Sequence, residues 1–322
     1  MTTRPRVSAV AAIFNASAYL EESLPKLIAE VAEVDGELIL VDDGSSDDSL
    51  RVIERVVGDD ARVVLVRLEV NQGVARARRA GLARASGDFV WFVDIDDDWD
   101  ATLLSSMAGL AESAAADVVI CDADYVYPSG LVRPVHPTAQ TSRMDGREAV
   151  ERLLSGVLKG HLWNKLFSRA LIESIEVPTS EVHSDLTMTS SYLAAATTVI
   201  FTDQVKYRYL VRPGSIIQSG RRRAQSLAIV EGAVRTATQR VGIDPPLVED
   251  FVHRFFLLSA IKDSYNPRYS PQEAREARRR ARARISVATV VTRTVRVDRR
   301  RAVALLLLKF APFATPVIVR KM

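Results

Sequence analysis

Gly87-Asp88-Phe89-Val90-Trp91-Phe92-Val93-Asp94-Ile95-Asp96-Asp97-Asp98 is the stretch on which the reading of this chain turns. Asp88 to Val93 reads as a strand, because aromatic and β-branched residues fit a pleated, buried surface. Four carboxylates then fall within the five residues Asp94 to Asp98. Such a run repels itself and resists desolvation, so the strand must open into a turn at the surface. One reading is a solvated turn with a helix cap at Asp98 or Asp100. The other is a seat for a hard divalent cation, Mg2+ or Mn2+. These ions take oxygen ligands, typically one or two carboxylates plus substrate phosphates. Asp94 and Asp96 supply two carboxylates from one small loop.

Working towards the N-terminus, the same strand, turn and helix rhythm recurs. Residues 7–13 read as a buried strand and Leu20 to Val34 as a helix, with Leu20, Leu24, Leu27, Ile28 and Val31 at helical spacing. Glu37 to Val41 is a second strand, ended by Asp42-Asp43-Gly44-Ser45-Ser46. A helix over 47–57, a strand over 62–66 and a helix over 74–85 follow, with Ser86-Gly87 as its expected C-cap. Beyond the acidic turn come a helix from Asp100 to Ala114 and a strand from Asp117 to Cys121. Alternating strands and helices predict a doubly wound, mainly parallel α/β sheet. Such sheets bind ligands at the carboxyl edge of their strands. Asn15, the Asp42-Asp43 turn and Asp94 to Asp98 all lie on that edge. No Gly-x-Gly-x-x-Gly follows the first strand and no P-loop is present, which argues against a dinucleotide cofactor and P-loop hydrolysis.

The chain has 322 residues, 48% of them hydrophobic and 26% charged, an ordinary globular balance for one large or two modest domains. A lone cysteine, Cys121, gives neither a disulfide framework nor a thiolate zinc site, and fits a reducing cytoplasm. His136, His161, His183 and His253 lack metal-ligand spacing. Met1 to Arg6 is not followed by a signal-peptide pattern, and no apolar run reaches spanning length. Net charge is +3, but Arg268 to Met322 holds 15 basic and three acidic residues, a surplus of 12. The remainder therefore carries −9. A basic tail on an acidic body suits phosphates or an anionic membrane surface.

Residues 122–215 are less regular and hold Tyr125, Tyr127, His161, Trp163, Tyr207 and Tyr209. These rings read first as core and second as a sugar-stacking platform. From about Ala224 the chain turns helical. Ser270-Pro271-Gln272-Glu273 is a capping box opening an Arg-rich helix, and Asp298 is placed to cap a last helix from Arg299 to about Phe310. No aromatic lies between Arg275 and Arg301, which argues against nucleic acid. Ala302 to Val319 is apolar but broken by Lys309, Pro312 and Pro316. It reads as an interfacial segment beside anionic lipid, or as a helix packed on the domain.

Four motifs in order resemble glycosyltransferase family 2. They are Val7 to Asn15, Leu38-Ile-Leu-Val-Asp-Asp-Gly-Ser-Ser-Asp47, Asn71-Gln-Gly-Val-Ala-Arg-Ala-Arg78 through Gly81, and Gly87 to Asp97. The resemblance implies a GT-A fold (Rossmann-like, nucleotide-diphospho-sugar transferase) with a C-terminal helical extension. It also implies a nucleotide-sugar donor, Mg2+ or Mn2+, and inversion at the anomeric centre. By the resemblance Asp43 holds the nucleobase beside the backbone of Phe14 and Asn15, and Arg78 lines the nucleotide pocket. Asp94 faces the ribose and metal, and Asp96 coordinates the metal on the diphosphate. Ala12 stands where the family usually has proline, and Arg79 where it often has asparagine. Trp163 to Arg169, Val182-His-Ser-Asp-Leu186 and Tyr207 to Ser215 resemble the second half of bacterial members, which makes Asp185 the catalytic base. Ser184 replaces the usual first acid there, and His183 and Glu181 are weaker rivals. Lys165, Arg208 and Arg212 are phosphate contacts or surface charges.

The expected division is 1–121 for nucleotide-sugar binding, 122–220 for acceptor and base, and 221–322 as a helical region with a basic, partly apolar tail. The expected reaction is metal-dependent transfer of a sugar, most commonly from a UDP-sugar, to a glycan or lipid-linked hydroxyl acceptor in envelope synthesis. The expected place is cytoplasmic, peripheral on the inner face of the membrane. The alternatives are a sugar-1-phosphate nucleotidyltransferase and a catalytically degenerate scaffold at the membrane.

Overall fold

The structure is a computed structural model that describes residues 6–212 and 223–311. β1 (Val7–Ile13) is buried on both faces, and its alternation divides the core in two. Val7, Ala9, Ala11 and Ile13 face one layer with Leu20, Leu24, Leu27 and Val31 of α1 (Ser17–Ala32). Val10 faces the other, with Ile39, Val41 and Ala77. This is the period-2 consequence of pleating, and it puts helices on both sides of the sheet.

β1 pairs in parallel with β2 (Glu37–Asp42), and β2 with β3 (Val63–Arg67). On its other side β1 pairs in parallel with β4 (Phe89–Val93). The crossovers are α1, α2 (Ser49–Val57) and α3 (Val74–Leu82). α3 presses hard on the sheet at Gly81, where a Cβ would stand 2.5 Å from Val10 Cγ1 and 2.9 Å from Val41 Cγ2. Arg78 lies one turn earlier on that inward face.

Beyond β4 the sheet stops being parallel. β5 (Asp98–Trp99), α4 (Leu103–Ala114), β6 (Val118–Val126), β7 (Val132–Pro134), β8 (Ser142–Met144) and α5 (Gly146–Ser155) come next in the chain. β9 (Lys165–Ser168), α6 (Arg169–Glu173), α7 (Ser184–Ala195) and β10 (Val199–Leu210) complete the sheet region. β9 inserts antiparallel between β4 and β6. β10 runs parallel to β6, with β5 antiparallel along its other side. The strand order is β3-β2-β1-β4-β9-β6-β10-β5. The mainly parallel sheet expected from sequence is thus a mixed one, because a strand returning from 165–168 takes the central gap.

One local expectation changes, the cap of α3, and one open choice, between Asp98 and Asp100, is resolved. α3 ends at Leu82, with Ala83 in the right-handed region, so Ser86-Gly87 is not its cap. Gly87 serves a close approach instead: a Cβ there would lie 2.7 Å from Ser8 N. Asp100, not Asp98, organises the entry to α4, accepting from Thr102 N at 3.0 Å and Thr102 Oγ1 at 2.5 Å.

The C-terminal part is helical from α8 (Ala224–Arg240) onward and packs on α5 and α7. The Ser270–Glu273 capping box forms on both sides, and Asp298 accepts from Arg301 N at 3.0 Å to cap the last helix, Arg299–Phe310. That helix buries Ala302, Leu305 and Leu308 and exposes Val303, Leu307 and Phe310. The packed alternative therefore describes its inner face, while 312–319 lie outside the described residues. Among the described residues no helix is long and apolar enough to cross a membrane.

Candidate active site

The carboxyl ends of β1, β2 and β4 meet, as the order of their turns requires. Asn15 takes a left-handed φ of 49°, which turns its side chain back over the neighbouring loop. Its Oδ1 accepts from Ser46 N at 2.8 Å, and its N–H donates to Ser45 Oγ at 3.0 Å. Phe14 beside it is exposed. Asp43 is buried, with Oδ1 accepting from Gln72 N and Oδ2 from Gly73 N, both at 2.8 Å. It thereby fixes the loop that opens α3, where a carboxylate is favoured by the helix N-terminus. Gly44, at φ 69°, lets this turn touch the backbone of Val70 and Asn71.

The acidic turn splits into three environments. Asp94 sits beside Arg78; burial pushes its carboxyl up to about 6, although Arg78 pulls the other way. Asp96 is half exposed and pairs with Arg212 Nη1 at 2.5 Å. Asp97 is buried, accepting from Tyr207 OH and Leu210 N at 2.9 Å each. Burial and its acidic neighbours raise Asp97 to about 8. Asp97 ties the turn to β10, a role that sequence reasoning did not assign. No local signal separates Asp97 from its three acidic neighbours; its contacts with Tyr207 and Leu210 do.

Asp185 stands in the first turn of α7, behind His183 in the left-handed region at φ 59°. Arg78 donates from Nη1 to Asp185 Oδ1 at 2.6 Å and from Nη2 to Asp94 Oδ1 at 2.8 Å. Burial pushes Asp185 up, but the charge and hydrogen bond of Arg78, with the Leu162 backbone N–H, leave it below the ordinary carboxylate range. Asp185 is therefore an ionised acceptor at neutral pH, open enough to be reached at 28% side-chain exposure. His183 packs edge-on against Phe255, and burial lowers its proton affinity.

Asp94, Asp96, Asp185 and Arg78 thus share one place, with Asp43, Phe14 and Asn15 along the same edge. Lys165 does not join them. It is fully buried and donates to Lys159 O, His161 O and Asn164 Oδ1 at 3.0, 2.6 and 2.8 Å. The phosphate role expected for it is excluded by that burial, as is the surface-charge alternative. Arg208 pairs with Asp98 at 3.2 Å. Trp163 and Tyr207 are buried and stacked 4.5 Å apart, so they are core rather than a sugar platform.

Asp94 and Asp96 fit a divalent cation by donor chemistry: two carboxylates leave the remaining positions to phosphate oxygens and water. Among the described residues no group of three or more His, Cys, Asp or Glu is gathered to hold an ion unaided.

A model of a protein family described as glycosyl transferase family 2 matches residues 8–175. The matched block contains Phe14, Asn15, Asp43, Arg78, Asp94 and Asp96, while Asp185 and Arg212 lie beyond it. A cholesterol galactosyltransferase of Borreliella burgdorferi is 28% identical over 232 residues, covering 66% of this chain and 62% of its own length. The chain therefore spans about six tenths of that relative. Among solved structures, S. aureus TarS 1-349 in complex with UDP-GlcNAc superimposes with a TM-score of 0.71. The match covers 98% of this chain and 90% of that one at 17% identity. The mannosyltransferase PcManGT of Pyrobaculum calidifontis, in complex with GDP-Man and Mn2+, superimposes with a TM-score of 0.55, covering 99% and 87% at 19% identity. At these identities the structural likeness is one of fold, and it is the GT-A arrangement that the motifs implied. With its family model matched over more than half of its length, this chain belongs to glycosyl transferase family 2.

Proposed function

We propose that this chain transfers a sugar from a nucleoside-diphosphate sugar to a hydroxyl acceptor, with inversion at the anomeric carbon. The observation that carries this reading is the bridge made by Arg78, which holds the acidic turn and an ionised Asp185 side by side. Inversion needs a base on the face opposite the leaving group. Asp185 takes the proton of the acceptor hydroxyl, the acceptor oxygen bonds to C1, and the bond from C1 to the diphosphate oxygen breaks. Asp43 and the backbone of Phe14 and Asn15 hold the nucleobase; Asp43 has lone pairs left after its two backbone bonds.

Asp94 and Asp96 hold Mg2+ or Mn2+. When bound, such an ion offsets the charge that develops on the departing diphosphate. Arg212 then exchanges its partner on Asp96 for the diphosphate. In this reading residues 1–121 bind the donor and 122–220 supply acceptor contacts and the base, with 221–322 as the helical remainder.

The donor read here is a UDP-sugar, in keeping with the UDP-GlcNAc bound by the TarS structure, though the GDP-Man bound by PcManGT keeps other bases in the test. The acceptor is a glycan or lipid-linked hydroxyl in envelope synthesis, at the cytoplasmic face of the membrane. The outer stripe Val303, Leu307 and Phe310, beside exposed Arg296, Arg299 and Arg300, supports contact with anionic lipid rather than nucleic acid.

The test is a thermal-shift and turnover panel of UDP, UDP-GlcNAc, GDP and GDP-Man, with and without Mn2+. Metal-dependent stabilisation and release of nucleoside diphosphate are expected. Stabilisation without turnover would favour a degenerate scaffold, and pyrophosphate release from a nucleoside triphosphate would favour a nucleotidyltransferase.

A further inference from the structure

Lys165 begins β9, in the seam between β4 and β6, with no access to solvent. A lysine in such a place is costly unless its donors are matched. All three are matched, and all three acceptors lie in residues 159–164, immediately before it. The carbonyls of Lys159 and His161 are thereby turned inward onto the amine, whose proton affinity burial lowers to about 7, so that it is an ammonium below that pH. The loop they belong to lies against the first turn of α7, the turn that carries Asp185.

Other contacts hold the same loop against the same helix. A Cβ on Gly160 would lie 2.8 Å from Leu186 Cδ1 and 3.3 Å from Leu186 Cα, so the loop touches the first turn of α7 beside Asp185. Thr189 Oγ1 donates to His161 O at 3.4 Å, and Trp91 Nε1 donates to Trp163 O at 2.7 Å. Tyr125 OH and His161 Nε2 share a hydrogen bond at 2.8 Å, and burial lowers the proton affinity of the ring. None of these contacts explains a buried amine; a carbon chain would fill the space without the demand for three acceptors.

We propose that Lys165 is a positioning residue for the base: by gathering the Lys159 and His161 carbonyls it seats the loop 159–164 against the first turn of α7, which carries Asp185. The inference rests on the reading of Asp185 as the base. The groups that face Asp185 are Arg78 from α3, Asp94 from the acidic turn, and His161, Lys165 and His183 from the loop and helix entry. Removing the ammonium takes away a positive charge that faces Asp185 and loosens the loop packed beside that carboxylate. Both changes move the Asp185 midpoint upward.

The experiment compares wild-type protein with Lys165→Met, Gly160→Ala and Asp185→Asn, all metal-free, by 13C NMR titration of aspartate carboxyls. Asp185→Asn assigns the resonance. No donor is needed for this measurement. The expected result is an Asp185 midpoint raised by about one pH unit in Lys165→Met, and raised in the same direction in Gly160→Ala. Turnover is measured with whichever of UDP-GlcNAc and GDP-Man the wild type uses. There kcat should fall roughly 10- to 100-fold in Lys165→Met, while KM for the donor stays within about threefold. If Lys165→Met does not fold, Gly160→Ala decides by the same readouts. A lysine that merely stabilises the fold would lower Tm and leave the midpoint and kcat unchanged, and that result overturns the proposal. If Asp185→Asn keeps wild-type turnover, the base assignment fails and the positioning role fails with it. If Asp185→Asn is inactive and Lys165→Met is normal, only the positioning role fails.

Discussion

Arg78 and Asp185, 107 positions apart in the chain, meet through a 2.6 Å hydrogen bond from Nη1 to Oδ1, while Nη2 of the same guanidinium holds Asp94. One buried cation therefore sets both carboxylates. The fork geometry of arginine makes this possible, since two N–H groups diverge in a fixed plane. Replacing Arg78 by lysine keeps a charge but loses the bidentate reach. Arg78→Lys should lower kcat roughly 100-fold and move the acid limb of its pH profile upward, because Asp185 loses part of what holds it ionised. A pH–kcat profile checks this; an unshifted limb would contradict it.

Asp185→Asn keeps the shape of the side chain and removes the base. Transfer should drop by about 10²- to 10⁴-fold, with nucleoside diphosphate binding in the presence of Mn2+ unchanged by calorimetry. Loss of nucleotide binding together with activity would instead point to a structural role.

Asp96→Ala removes a proposed metal ligand from an exposed position, so the fold should survive. The stabilisation of the protein by UDP plus Mn2+ should disappear, and chelation of wild-type protein should abolish turnover reversibly. Turnover that persists after chelation and dialysis would sink the metal assignment.

Burial pushes His161 down to about 3, with Lys165 as the next cause. A base whose folded proton affinity lies below its unfolded value is neutral in the native state and charged in the unfolded chain between those limits. Stability should therefore fall as pH drops from about 6.5 to about 3, by up to roughly 5 kcal/mol from this group alone. His161→Phe should flatten that slope in chemical denaturation measured across the window; an unchanged slope would assign acid sensitivity elsewhere.

Gly81→Ala tests the seating of α3. The new methyl must displace Val10 or Val41 from 2.5 and 2.9 Å. A loss of about 1–3 kcal/mol is expected. Because Arg78 rides on the same helix, kcat should fall more than the stability loss explains.

The stripe Val303, Leu307 and Phe310 tests the membrane reading. Replacing all three by serine should reduce co-sedimentation with phosphatidylglycerol vesicles and leave the Tm within a few degrees, since these side chains are exposed. Equal binding to neutral and anionic vesicles would remove the role of Arg296, Arg299 and Arg300.

Much of the first half was legible because its signals are local. The strand from Val7 to Ile13 falls where its buried apolar run puts it, and near the other end the helix from Arg299 to Phe310 falls where its capping aspartate puts it. Ser86-Gly87 misled, because a glycine chosen for close approach to Ser8 looks like a helix terminator when its neighbour in space is unknown. Lys165 misled more deeply. An isolated lysine reads as a surface or phosphate group, and only the carbonyls of the loop before it explain its burial.

The amino-acid order alone determined the strand and helix rhythm, the acidic turn at the carboxyl edge and the Ser270 and Asp298 caps, since each follows from residue spacing over a few positions. Only the tertiary structure decided that β9 enters the sheet antiparallel, that Asp97 is buried under Tyr207, and that Arg78 joins Asp94 to Asp185. Those outcomes depend on which distant segments exclude water from one another, and no local pattern encodes that partner choice.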